Sequence, residues 1–191
     1  DQFPAVQIGL LGGFIVAIDG QPLPDRAWGG SRKASTLVKL LALTPGQRLH
    51  RDQALDALWP DLDPDAAGRA LHQTLYLVRR ALAPANVQVA LQGQVVVLHA
   101  PATFQAAAAH ARRRRDQADY RAALALYAGD LLPDDRYEEW AVQPREAAHA
   151  TYLGLLRDLA TAQEAGGDLD GAVATFERLV GAEPADEAAH V

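Results

Sequence analysis

The stretch Ala66-Ala-Gly-Arg-Ala-Leu-His-Gln-Thr-Leu-Tyr-Leu-Val-Arg-Arg-Ala-Leu82 decides how the chain reads. A helical wheel advances about 100° per residue. With Ala67 as its origin, Leu71, Thr74, Leu75, Val78, Ala81 and Leu82 fall within about 80° of it, an apolar stripe fit for a core. Arg69, His72, Gln73, Tyr76, Arg79 and Arg80 fall on the opposite arc, with no acid among them. The pattern predicts a helix over residues 66–82, closed by Pro84. Arginine pairs bidentately with guanine, and glutamine with adenine, in a major groove. Tyr76 is suited to packing on sugar or donating to phosphate. The plain alternative is an ordinary solvated face, although such faces usually mix both signs of charge.

Reading outward from this helix supplies its context. Two strands are expected over residues 6–11 and 14–18, broken at Gly12-Gly13. A hairpin turn at Asp19-Gly20 then leads into a short third strand at Gln21-Pro-Leu-Pro24. Ser31 is placed to cap a helix over 32–43, with Leu37, Val38, Leu40 and Leu41 at helical spacing and Pro45-Gly46 as its stop. A second helix is expected over 51–58, and Trp59-Pro-Asp-Leu-Asp-Pro-Asp65 reads as a loop. After the third helix, 87–91 and 95–98 form a hairpin with Gln92, Gly93 and Gln94 at its tip. Strands, three helices and a hairpin in this order make a winged helix, with the hairpin as the wing. Arg32 and Lys33 start the first helix, and Arg48 and Arg51 bracket the start of the second. Cations beside helix N-termini suit phosphates. Lys39, alone in mid-helix, reads as a solvated lysine.

The net charge of −6 hides an asymmetry. Residues 1–100 hold nine basic and eight acidic residues, a balance of +1; residues 101–191 hold nine and sixteen, a balance of −7. Residues 28–51 carry cations and no acid, residues 52–65 carry five aspartates and no base, and residues 66–115 carry seven arginines and no acid. Two basic stretches flanking an acidic one point to surfaces with different partners.

From Phe104 onward the chain becomes alanine-rich and helical, with breaks at Gly129, Pro133, Gly166-Gly167 and Pro184, and Pro101-Ala-Thr103 reads as the linker. Gly167, Ala172, Phe176, Leu179 and Pro184 match the turn and second helix of a tetratricopeptide repeat, and Ala160 falls where its first helix needs a small residue. Phe176 is expected to fill the gap to a following repeat. A second copy, around Tyr120, Ala123 and Tyr127, lies 49 residues earlier instead of about 34, with residues 130–143 as an insertion. Arrays of this kind bind proteins or dimerise. Arg112 to Arg115 either extend a DNA footprint or form a solvated helix end, and Trp140 is expected in the core.

Other classes find little support. There is no phosphate-cradling glycine loop, since Gly9-Leu-Leu-Gly-Gly13 is too short and sits among strands. The six histidines lack metal-ligand spacing, and the aspartates at 61, 63 and 65 lack the glycine and distal glutamate of a calcium loop. No enzyme, metal or cofactor is expected. Cysteine is absent, which fits a cytoplasmic protein, and no apolar run approaches the ~20 residues of a membrane span. Methionine is absent too, so the chain reads as a piece of a longer protein whose last repeat is left uncapped.

Gly9-Leu-Leu-Gly-Gly-Phe-Ile-Val16, Arg32-Lys-Ala34, Leu40-Leu-Ala-Leu43, Arg51-Asp-Gln-Ala-Leu-Asp-Ala-Leu-Trp-Pro60 and Val78-Arg-Arg-Ala-Leu82 together resemble the DNA-binding domain of the Streptomyces antibiotic regulatory protein family, an OmpR-type winged helix. Phe104, Tyr127-Ala-Gly-Asp-Leu-Leu-Pro133, Glu139-Trp140 and Gly167-Asp-Leu-Asp-Gly-Ala172 resemble the bacterial transcriptional activator domain of the same family. The resemblance implies that Arg69, Gln73, Tyr76, Arg79 and Arg80 face DNA, and that the loop from Trp59 to Asp65 touches RNA polymerase. Asp61 and Asp63 suit a basic partner there, while Asp65 is expected to cap the third helix. The family pattern has Ser-Arg where this chain has Tyr76-Leu77. It also implies two protomers in tandem on a direct repeat.

The expected architecture is therefore an α+β winged helix over 1–100 followed by an all-α, tetratricopeptide-like unit over 101–191. The expected function is sequence-specific binding of double-stranded DNA by a transcriptional regulator, an activator that contacts RNA polymerase. The competing expectation is a protein-interaction scaffold whose winged helix no longer binds DNA.

Overall fold

The computed structural model describes residues 6–85, 87–99 and 104–183. The expected linker at 101–103 and the break at Pro184 lie outside the described residues. The chain divides into two compact units, residues 1–101 and 102–191.

The first unit opens with an antiparallel sheet of β1 (Val6–Gly9), β2 (Ile15–Ile18) and β3 (Gln21–Pro22). Val6 pairs with Ile18 and Gly9 with Ile15, and Asp19 and Gly20 turn the chain with φ of 50° and 77°. Positive φ at both central residues suits the twist of a tight hairpin. Helix α1 (Arg32–Leu43) starts at Ser31, whose hydroxyl accepts from the Ala34 amide. Its Leu37, Val38, Leu40 and Leu41 are all buried, as the spacing predicts.

Two features here differ from expectation. Lys39 is 9% exposed, with its ammonium 5.1 Å from the centre of the Phe14 ring. A cation over an aromatic face keeps a favourable interaction when its water is stripped away, so the solvated reading fails. Strand β4 (Arg48–His50) was not expected. It pairs with β6 (Val95–Leu98) through Leu49 and Val96.

Helix α2 (Arg51–Leu58) begins with a reciprocal cap, in which His50 accepts from the Asp52 amide and Gln53 accepts from the His50 amide. Helix α3 (Pro64–Leu82) starts two residues before the predicted helix. Asp63 caps it, accepting from the amides of Asp65 (3.1 Å) and Ala66 (2.9 Å). Asp65, expected as the cap, lies inside the first turn. Pro64 explains the offset: proline has no amide to satisfy and its fixed φ suits the first helical position.

Strands β5 (Val89–Gln92) and β6 (Val95–Leu98) form the hairpin, and with β4 they make a sheet of order β4-β6-β5. Leu37, Leu41, Leu58, Leu71, Leu75, Val78, Leu82 and Leu98 are fully buried. Burial of Leu71, Leu75, Val78 and Leu82 contributes roughly 1.5–3 kcal/mol each. This far exceeds the ~1 kcal/mol that Gly68 costs in the helix interior, so packing and not local propensity holds α3 in place.

The second unit is helical: α4 (Phe104–Arg114), α5 (Gln117–Ala125), α6 (Glu139–Ala165) and α7 (Leu169–Ala182). The predicted insertion over 130–143 overruns the start of α6, because residues 139–143 are helical. Arg145 holds the preceding segment by donating to the carbonyls of Leu131, Leu132 and Asp135. Ala160 and Ala172 are buried where α6 and α7 approach, and beside them Thr175 donates to Gln163 Oε1 at 2.7 Å in the interior. The ring of Tyr127 stacks on that of Tyr152, with centroids 4.1 Å apart, and meets the ring of Phe104 at a tilt, with centroids 5.5 Å apart.

Candidate nucleic-acid interface

Every residue expected on the outer arc of α3 is exposed: Arg69, His72, Gln73, Tyr76, Arg79 and Arg80. Tyr76, 62% exposed, is the large apolar ring of that face. No acid interrupts it from Ala66 to Leu82. Among the described residues, the side chains of Arg69, His72, Gln73, Tyr76 and Arg80 have no internal hydrogen bond or ion pair. A row of donors without internal partners is set up to meet acceptors from outside.

Arg79 differs from the rest. Its Nε donates to the Val89 carbonyl at 2.6 Å, tying the last turn of α3 to β5. Leu77 lies to the side of the arc, half-buried, and its methyl groups lie against Gly29, whose φ is 64°. A side chain at position 77 is thus directed toward the short 3-10 turn Asp25–Trp28 and away from the arc.

The expected phosphate contacts divide in the same way. Arg32 and Arg48 are exposed. Lys33 donates to the Leu58 carbonyl at the end of α2, so it first serves to close that helix. Arg51 joins three elements. It begins α2, its amide donates to the Gln94 carbonyl at the hairpin tip (2.7 Å), and its guanidinium lies against Gly68 of α3. The tip is the turn Gly93-Gln94, with Gly93 at φ 61°; Gln92 is the last residue of β5. Sequence reasoning missed the part of Gly68. A glycine inside a helix is a signal that something approaches closely, and the first arginine of α2 is what approaches it.

The loop before α3 is shorter than expected, since Pro64 and Asp65 belong to the helix. Trp59 ends α2 and is half-buried, while Asp61 and Leu62 are exposed. Asp63 is occupied as the cap. The four arginines at the end of α4 are exposed, but Arg112 pairs with Asp158 (3.2 Å) and Arg114 with Asp119 (2.7 Å). Trp140 is half-buried and donates to Glu138. On α7, Leu169, Val173, Phe176 and Val180 form one exposed row. Phe176, expected to meet a following repeat, meets none among the described residues. Also among the described residues, no group of three His, Asp or Glu side chains is arranged to hold a metal ion, and no helix is long and apolar enough to cross a membrane.

The first unit has the strand, three-helix and hairpin order of a winged helix with an acid-free cationic face on α3, and a helical unit follows it. The chain belongs to the family described as bacterial transcriptional activator domain, whose pattern matches residues 96–191. This is a family of transcription regulators and not of enzymes, and the resemblance to Streptomyces antibiotic regulatory proteins stands with it. Among solved structures the chain is similar to that of Mycobacterium tuberculosis EmbR in complex with low affinity phosphopeptide, with a TM-score of 0.57 and 19% identity. The match covers 92% of this chain and 59% of that chain, so this chain spans well under two thirds of its length. At this identity the likeness speaks for the fold alone. No curated protein matches the chain.

Proposed function

We propose that the first unit binds double-stranded DNA, with the outer face of α3 in the major groove, and that the chain activates transcription. The observation that carries this reading is the row Arg69, His72, Gln73, Tyr76 and Arg80, exposed and free of acids. Arg69, Gln73 and Arg80 supply the donor geometries that read base edges. Arg32, Arg48 and Arg51 provide backbone contacts that fix register, and the turn at Gln92, Gly93 and Gln94 acts as the wing. Asp61 and Leu62, exposed beside Trp59, offer an acidic and apolar contact to RNA polymerase. The protein would then work in the cytoplasm, without metal or cofactor, as two protomers in tandem on repeated sites.

The test is selection of bound duplexes from a random-sequence pool by the 191-residue chain. One motif is expected to be enriched, and Gln73→Ala is expected to relax one position of it by about 1–3 kcal/mol. A pool that stays random through successive rounds would remove sequence-specific binding from the account.

A further inference from the structure

Gly68 is buried, although it lies on the boundary between the inner and outer arcs of α3. Its cover is Arg51. A methyl group at position 68 would sit 2.6 Å from Arg51 Nη2 and 3.8 Å from its Cζ, with no other atom of the described residues within 4 Å beyond its chain neighbours and its own helix backbone. Among the described residues, the obstacle to alanine there is the far end of one flexible side chain. The same arginine is held at its other end by the bond from its amide to the Gln94 carbonyl, and Arg51 Nη1 lies 3.4 Å from Asp52 Oδ1. Its side chain is 27% exposed.

We propose that Gly68 is a seat for Arg51, and that the seat fixes a phosphate-binding guanidinium at the junction of α2, α3 and the wing. The inference rests on the DNA-binding reading above and goes further by assigning a positioning residue to it. A long arginine side chain samples many rotamers, and holding it before the ligand arrives removes that ordering cost from binding. Alanine at position 68 pushes the guanidinium off the helix while leaving the fold intact, because alanine is the better helix former.

Affinity for a fluorescein-labelled random-sequence 30-base-pair duplex, measured against salt concentration, tests this on the 191-residue chain. Gly68→Ala is expected to keep a thermal midpoint equal to or above that of the unchanged chain. It is expected to weaken binding about tenfold, alike for all sequences, and to reduce the slope of log affinity on log salt by about 1. Added to Arg51→Ala, it is expected to change binding no further, since the residue it positions has gone. A merely structural role for Gly68 would act equally in both backgrounds, and that result overturns the proposal. The seat is also visible without DNA: the Arg51 Nε–Hε resonance is expected to shift to the position of a free arginine in Gly68→Ala. An unmoved resonance overturns the seat itself. An unchanged chain that binds no duplex, with the resonance shifting as expected, overturns the DNA reading and with it the role of the seat.

Discussion

Asp63 acts on the start of α3 both through hydrogen bonds and through its charge, and substitutions at it separate the two. Its carboxylate accepts from the amides of Asp65 and Ala66 at 3.1 and 2.9 Å, and it lies at the edge of the exposed loop before α3. Removing a side-chain N-cap costs about 0.5–2 kcal/mol, and losing a negative charge at a helix N-terminus adds about 0.3–1 kcal/mol. Asp63→Ala loses both, so the first unit is expected to lose about 1–3 kcal/mol. For a unit of about 100 residues each kcal/mol moves the midpoint by roughly 4–8 °C, so a shift of about 4–24 °C is expected. Asp63→Ser keeps an acceptor at the cap and loses only the charge, so its shift is expected to be less than half as large. Calorimetry of the whole chain reads the shift. Equal midpoints for Asp63→Ala and the unchanged chain would refute the capping argument. Equal losses in Ala and Ser would show that charge, and not the cap, is what matters.

Three further outcomes follow from the same structure. Arg79→Ala is expected to weaken binding to a panel of single-base variants uniformly, because its Nε is taken by the Val89 carbonyl; a loss confined to one base position would make it a base reader instead. Asp61→Asn is expected to lower activation in reconstituted transcription at unchanged DNA affinity, and a parallel fall in both would move Asp61 from the polymerase contact to the DNA. In the second unit, Thr175→Val is expected to cost about 1–3 kcal/mol by leaving buried Gln163 Oε1 without its 2.7 Å donor. Pairing it with Gln163→Leu is expected to recover much of that loss in thermal unfolding, and strict additivity would exclude the coupling.

The sequence carried the helices of the first unit well because each has local marks. Ser31 and the spacing of Leu37, Val38 and Leu41 bound α1, and the stripe through Leu71, Leu75 and Val78 sets the inward side of α3. Features that depend on distant partners were not legible. Strand β4 offers one apolar residue, Leu49, and no alternating run; only its pairing with β6, some 47 residues on, makes it a strand. Lys39 looked solvated because Phe14 lies 25 residues away in the chain. The cap fell to Asp63 and not Asp65 through the placement of Pro64, a local mark that outweighs the run of acids around it. In the candidate interface the six residues of the outer arc were legible, but their division was not. Arg79 is engaged by β5 and Lys33 by α2 through contacts that no periodicity encodes. Gly68 signals a close approach in the sequence without naming what approaches, and Arg51 is identified only once the fold lays it across the glycine.

The central claim, that the first unit grips a DNA backbone, is tested most directly by the salt dependence of duplex affinity for the unchanged chain. Each neutralised phosphate contributes about −0.9 to the slope of log affinity on log salt. Arg32, Arg48 and Arg51 together predict a slope of about −3. The account predicts that slope with measurable binding at low salt. Binding that is absent at low salt, or that stays level as salt rises, would contradict it.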